Sequence, residues 1–260
     1  MLSSIHPSQR LRVESLTVEI YSDNQSMGRA AATQISQVIR RIAAEQDYVR
    51  LILGSANSQL SFVQSLVSEH ELPWERMICF HMDEYLGISP NHPASFRHWM
   101  TEHLIRTAHP RAFHLLAGDV DDPRQEIYRY TNLLHEHPID ITVLGFGENG
   151  HLAFNDPPHA DFEDPETVRI VTLDQQSRQQ QVGEGHFPAI DAVPTQALTL
   201  TIPTLLSASY LFGVVPEKRK ATAVHAALYG PLTPKCPASI LRSRTNAKLY
   251  LDADSASELN

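Results

Sequence analysis

The sequence predicts an α/β protein, a single domain over residues 1–260 with a mostly parallel sheet and helices on both of its faces. Three observations predict it. Short apolar, β-branched runs alternate with amphipathic stretches, at about one strand per 30 residues. The strand runs are apolar almost throughout, as strands covered on both faces are. The composition is that of an ordinary globular chain, 42% hydrophobic and 20% charged.

The elements follow in order. Leu16–Tyr21 reads as a strand. Ser22-Asp23-Asn24 offers N-caps to a helix whose apolar face is Ala31, Ile35, Val38 and Ile42. Val49–Leu53 is a strand, followed by Gly54-Ser-Ala-Asn-Ser58 and a helix to about Ser68. Met77–Phe80 is the next strand, and Phe96, Met100 and Leu104 mark a helix face. Pro123–Glu136 is helical and Ile139–Leu144 is a strand ending at Gly145. Asn155–Glu166, with three prolines and several acids, reads as a long loop. Val168–Leu173, Ala197–Ile202, Tyr210–Val215 and Lys248–Leu251 complete the strands. Pro216 is expected at the first position of a helix with Ala221, Val224 and Leu228 on its apolar face.

Charge and cysteine usage remove several function classes. Twenty-one basic against thirty acidic residues leave a net charge of −9. Such a surface repels nucleic acid and anionic membranes, so neither is expected as a partner. Cys79 and Cys236 are too few for a disulfide framework or a zinc cluster. His135-Glu-His137 lacks a third ligand and is not read as a metal site. No stretch is apolar enough to span a membrane, and Met1–Arg12 lacks the apolar region of a secretory signal. A soluble cytoplasmic protein is therefore expected.

In parallel α/β sheets, ligands bind beyond the carboxyl ends of strands, near a switch in strand order. Two strand-end loops, His81–Gly87 and Gly145–Pro158, hold the most chemistry. In the first, Asp83 and Glu84 are adjacent and must point in different directions, one to the crevice and the other to solvent. In the second, Gly145-Phe-Gly-Glu-Asn-Gly150 matches a dinucleotide fingerprint, but Pro157 and Pro158 follow too soon for its helix. The glycines are read instead as letting backbone approach a ligand. His151, flanked by Glu148, Asn149, Asn155 and Asp156, can be held in one tautomer and act as acid and base. Gly54-Ser55-Ala56-Asn57-Ser58 has the makings of an oxyanion cradle, with Lys220 placed to close on the same anion.

Together these segments resemble the glucosamine-6-phosphate deaminase (isomerase) family, which shares a superfamily with 6-phosphogluconolactonase. The matching residues are Met82-Asp-Glu-Tyr85 with Leu86-Gly87 and Asn91-His-Pro93, Leu144-Gly-Phe-Gly147, Asn149-Gly-His-Leu-Ala-Phe-Asn155, Pro194-Thr-Gln-Ala-Leu-Thr-Leu200 and Arg219-Lys-Ala221. They run from about Leu16 to Leu251, nearly the whole chain. The resemblance implies a Rossmann-like fold and conversion of glucosamine 6-phosphate to fructose 6-phosphate and ammonia, without metal or organic cofactor. It implies Asp83 as proton-transfer base and His151 for ring opening, with Asn149 and Asp156 beside it. It implies Ser55, Ala56, Asn57, Ser58, Glu84, Gly147, Gly150, Arg178 and Lys220 as substrate-binding residues, and leaves open a homo-oligomer. Four features depart from the family pattern. Asn149 stands where the family has an acid, and Asp156 where it has a glutamate one methylene longer, which puts reach to His151 in question. Ser55-Ala-Asn-Ser58 replaces Thr-Gly-Gly-Thr, so that Asn57 either narrows the cradle or meets the ligand. Arg178 is the nearest candidate for the family's phosphate-binding arginine. Two other readings stay open: a 6-phosphogluconolactonase-like hydrolase, and a sugar-phosphate-binding protein without turnover.

Overall fold

A computed structural model of the chain describes residues 5–157, 159–183 and 185–259. Pro158, the end of the second candidate loop, lies outside the described residues, as do Met1–Ser4. Eleven strands are described: β1 (Gln9–Val13), β2 (Leu16–Tyr21), β3 (Val49–Leu53), β4 (Met77–His81), β5 (Asp83–Tyr85), β6 (Ala112–His114), β7 (Ile141–Leu144), β8 (Val168–Thr172), β9 (Gln196–Leu200), β10 (Tyr210–Val215) and β11 (Ala247–Asp252). The large sheet has the order β1-β2-β11-β10-β7-β3-β4-β6. Its neighbours are all parallel except β1, which pairs antiparallel with β2.

Period-two alternation sends successive strand residues to opposite faces, and each face meets its own helices. Leu51, Leu53, Val143 and Tyr250 pack with Met27, Ile35, Ile39 and Phe62 from the Asn24–Glu45 and Leu60–Val67 helices. Ile52, Leu144, Leu249 and Leu251 pack the other way, with Tyr130 and Leu134 of the Pro123–His135 helix and Val224 and Leu228 of the Ala221–Tyr229 helix. The expected sheet with helices on both faces is what forms. The Asn24–Glu45 helix starts where the caps predict, with Asp23 accepting from the Ser26 N–H at 2.7 Å.

Three expectations about local structure are corrected. Residues 83–85 are not loop; they form β5, which pairs antiparallel with β9. The runs read as strands at 168–173 and 197–202 do form strands, but they join β5 in a separate three-stranded antiparallel sheet, order β5-β9-β8. An apolar run shows that a strand is buried, not which sheet buries it. Pro216 precedes its helix: Glu217 has φ 81°, a 3₁₀ turn covers Lys218–Lys220, and the α-helix begins at Ala221.

One buried charge cluster ties the antiparallel edge to the sheet. Glu19, on β2, accepts from Arg10 at 2.6 Å, Tyr21 Oη at 2.7 Å and Gln34 Nε2 at 3.2 Å, and pairs with Lys248 at 2.8 Å. Burial alone would raise its carboxyl pKa, but Lys248, Tyr21, Arg10 and Gln34 outweigh burial and hold it at about 2. A carboxyl depressed by folding contributes stability that is full above its unfolded pKa of 4.5 and is lost as pH falls through 2. Glu19→Gln is therefore expected to cost on the order of 3 kcal/mol at pH 6 and to flatten the acid limb of stability. Urea unfolding of both proteins at pH 6 and pH 3 checks this, and an unchanged difference between the two pH values would refute it.

Candidate active site

The sheet order locates the crevice. From β3 the chain moves outward to β4 and β6; from β7 it moves to β10 and β11 on the other side. β3 and β7 are neighbours, so the order switches between them, and their carboxyl ends carry Gly54 and Gly145. A cavity open at its mouth lies there. One wall is the 54–59 turn after β3, the second is Met82 and Asp83, the third is the loop from Gly145 to Phe154, and Arg219 and Lys220 stand on the β10 side.

Asp83 and Glu84 point to opposite sides of β5, as strand geometry requires. Asp83 lines the cavity, 7% exposed, and takes no side-chain hydrogen bond among the described residues. Burial, reinforced by the charge of Glu84, raises its carboxyl pKa well above the usual range. Glu84 neither lines the cavity nor faces solvent. It accepts from Ser95 Oγ at 2.7 Å, the Arg97 N–H at 2.9 Å and the Phe96 N–H at 3.2 Å, and pairs with Arg97 Nε at 3.3 Å. It caps the helix that starts at Phe96, so its expected contact with substrate is corrected: its lone pairs serve the fold.

His151 lies in the cavity wall, held from behind. Asp156 Oδ1 is 2.8 Å from His151 Nδ1, and the same oxygen accepts from Asn149 Nδ2 at 3.0 Å and Ser177 Oγ at 2.5 Å. Asn149 Oδ1 in turn accepts from the His151 N–H at 3.0 Å. Burial opposes ionisation of Asp156, but His151, Asn149 and Ser177 hold its carboxyl at about 2, so it stays an acceptor. An imidazole donating from Nδ1 keeps its lone pair on Nε2, the arrangement a general base needs. The shorter Asp156 side chain thus reaches His151 directly, with no gap for a water. Gly145 and Gly147 border the cavity, and two glycines of the loop are also required by the chain itself. A Cβ on Gly147 would sit 2.1 Å from His151 Cε1, and Gly150, at φ 81°, would meet Cys236 Sγ at 2.9 Å.

The opposite wall has the character of an anion site. Ser55 and Ser58 border the cavity, and Ser55 Oγ is buried with no partner among the described residues. Ala56 has φ 123° and ψ 165°, a conformation suited to glycine and costing an alanine on the order of 1–3 kcal/mol. Lys220 borders the cavity and is 3% exposed, rare for a lysine. Among the described residues no three His, Cys, Asp or Glu side chains group as a metal site.

The family model described as glucosamine-6-phosphate isomerases/6-phosphogluconolactonase matches residues 22–251. The chain belongs to this family. A glucosamine-6-phosphate deaminase of Exiguobacterium sibiricum is 36% identical over 191 residues, 72% of this chain and 74% of that protein. One of Streptococcus pneumoniae is 32% identical over 237 residues, 91% and 97% of the two chains. A solved monomeric glucosamine-6-phosphate deaminase superposes with a TM-score of 0.83 at 28% identity, over 93% of this chain and 99% of its own. The 6-phosphogluconolactonase of Thermotoga maritima superposes at 0.74 with 16% identity, over 91% and 99%, a likeness of fold.

Four residues expected to bind substrate on the family resemblance do not border this member's cavity: Glu84, Gly150, Asn57 and Arg178. Asn57 is exposed on the outer side of the turn. Arg178 Nη2 donates to the Ile190 and Val193 carbonyls at 2.7 and 3.0 Å, holding the chain beyond its own helix. Several lining or supporting residues escape sequence reasoning. Arg219 borders the cavity while pairing with Glu148 at 3.6 Å and Glu217 at 2.5 Å; its place beside Lys220 was the available signal. Ser177, Gln180 and Gln181 come from the Gln175–Gly183 helix, whose glutamine-rich sequence has no apolar period to reveal it. Gln59 lines the cavity from a position that resembles an ordinary helix start.

Proposed function

We propose that this protein is a glucosamine-6-phosphate deaminase, with Asp83 as proton-transfer base and His151 as the ring-opening acid and base. The observation that carries this is Asp83 itself: a buried carboxylate, unbonded among the described residues, in the same cavity as a histidine oriented by Asp156. An aldose acquires a mobile proton at C2 only when its ring is open, so two separate groups are needed. His151 moves a proton between O1 and the ring oxygen, giving the free aldehyde. Asp83 takes the C2 proton as O1 gains one, giving an enolamine; Asp83 then returns its proton to C1, the nitrogen gives up a proton, C1 has gained the electron pair that C2 gave up, and a ketimine forms. Water adds at C2 and ammonia leaves, giving fructose 6-phosphate. The sequence is redox-neutral and asks for no organic cofactor. Ser55, Ser58 and Lys220 would hold the phosphate, lending binding energy remote from the reacting carbons. The ligand in this reading is a small sugar phosphate. A doubly charged ester does not cross a membrane unaided, so a cytoplasmic location goes with it; no helix among the described residues is long and apolar enough to cross a membrane.

A lactone hydrolase would need the histidine but no group that carries a proton between carbons, and Asp83 is therefore the discriminating residue. Purified protein given glucosamine 6-phosphate should release ammonia and fructose 6-phosphate in equal amounts, and Asp83→Asn should not. Tight binding without product would instead leave a binding protein, and lactone hydrolysis that survives Asp83→Asn would leave a hydrolase.

A further inference from the structure

Gln59 has no part in the chemistry above, yet it is 1% exposed and stands in the cavity wall. Its Nε2 donates to the Val214 carbonyl at 2.9 Å, a contact between positions 155 apart in the chain. Its own N–H donates to the Ala56 carbonyl at 2.9 Å, closing the turn around the residue at φ 123°. Its amide lies over Gly145 so closely that a Cβ there would be 2.8 Å from Nε2. One side chain thus touches the carboxyl ends of β7 and β10 from the turn that follows β3. Gln59 Oε1 is buried with no partner among the described residues. An apolar side chain would fill the same space without stranding an acceptor, so packing does not explain a glutamine here. What the amide adds is the bond to Val214, near the end of the strand that leads through Pro216 to Lys220.

We propose that Gln59 is a positioning residue for the anion-binding half of the site. It locks the strained 54–58 turn against β10 and so sets the gap between Ser55 and Ser58 on one side and Lys220 on the other. The inference rests on reading that wall as a phosphate grip, and therefore deepens the proposed function. Such a brace acts on binding and leaves Asp83 and His151 where they are.

The test uses the full chain and two probes, inorganic phosphate and glucosamine 6-phosphate. Gln59→Met retains the length of the side chain and removes the donor. The phosphate concentration that half-protects against thermal unfolding should rise by about tenfold, and KM with it, while kcat changes by less than about threefold. Adding Ala56→Gly should shrink the effect of Gln59→Met on KM, because glycine adopts φ 123° without a brace. Should the methionine variant not fold, Gln59→Glu carries the test: ionised, it cannot donate to the Val214 carbonyl, and phosphate protection should be lost at pH 8. Phosphate protection and KM unchanged in either variant, a fall in kcat alone, or an effect of Gln59→Met that is the same with and without Ala56→Gly would overturn the proposal. Phosphate protection needs no turnover. If the wild type releases no ammonia but phosphate protection depends on Gln59, only the deaminase reading falls; if ammonia is released and KM ignores Gln59, only this inference falls.

Discussion

Replacing Asp83 by asparagine is expected to lower kcat by about 10²–10⁴-fold, the usual contribution of a positioned acid or base, and at the same time to stabilise the fold. The two effects share one cause. Asp83 is buried, without a side-chain hydrogen bond among the described residues and beside the charge of Glu84, so the folded state favours its protonated form. The sign follows from that. In the unfolded chain the carboxyl ionises near 3.8; in the folded chain it ionises well above this value. Stability is therefore full below 3.8 and falls as pH rises through the folded pKa, where the carboxylate forms in a site that does not solvate it. Asparagine has no charge to bury, so Asp83→Asn should be about 1–3 kcal/mol more stable than the wild type at pH 8 and close to it below pH 4. The same titration should appear in turnover, with kcat/KM rising with pH through a pKa above the ordinary carboxylate range as the base form appears. Thermal unfolding at the two pH values, set beside the pH dependence of ammonia release, checks all three statements. An active Asp83→Asn protein, or one less stable at pH 8, would remove Asp83 from its assigned role.

Gly147→Ala carries the second large effect. The new Cβ would lie 2.1 Å from His151 Cε1 and 2.3 Å from each ring nitrogen, well inside contact distance. The ring cannot simply swing aside, because its Nδ1 is held 2.8 Å from Asp156 Oδ1 and the loop is closed by the Gly147 N–H donating to the His151 carbonyl at 3.0 Å. Either the His151–Asp156 pair breaks or the loop shifts, and an ångström of misplacement is enough for a loss of about 10²-fold in kcat. The imidazole proton shared with Asp156 should also lose its downfield NMR resonance. Full activity in Gly147→Ala with that resonance intact would show that His151 tolerates displacement and is not the ring-opening group.

Much of this candidate site was legible because its key groups lie in contiguous segments that follow strand ends. Asp83 follows a buried apolar run by three residues, and Gly147, Asn149, His151 and Asp156 fall within ten positions of one another. Strand burial and glycine placement are local, and local constraints leave local patterns. Glu84 shows where adjacency misleads. Its neighbour faces the cavity, but its own direction was settled by a helix start eleven and more residues later, whose N–H groups needed an acceptor.

The sequence by itself determined the sheet with helices on both faces, which rests on periodicity, and its turn chemistry and motifs singled out Asp83, His151 and Lys220, which border one cavity. Only the tertiary structure decided that 83–85 is a strand of a second sheet, that Asp156 reaches His151 despite its length, that Ser177 supports the pair, and that Asn57 and Arg178 stand outside the cavity. It alone joined Gln59 to Val214. The physical reason is the same in each case: a single hydrogen bond between distant segments selects a geometry without imposing any repeat on the residues around it, so it is visible only when the chain has brought the two ends together.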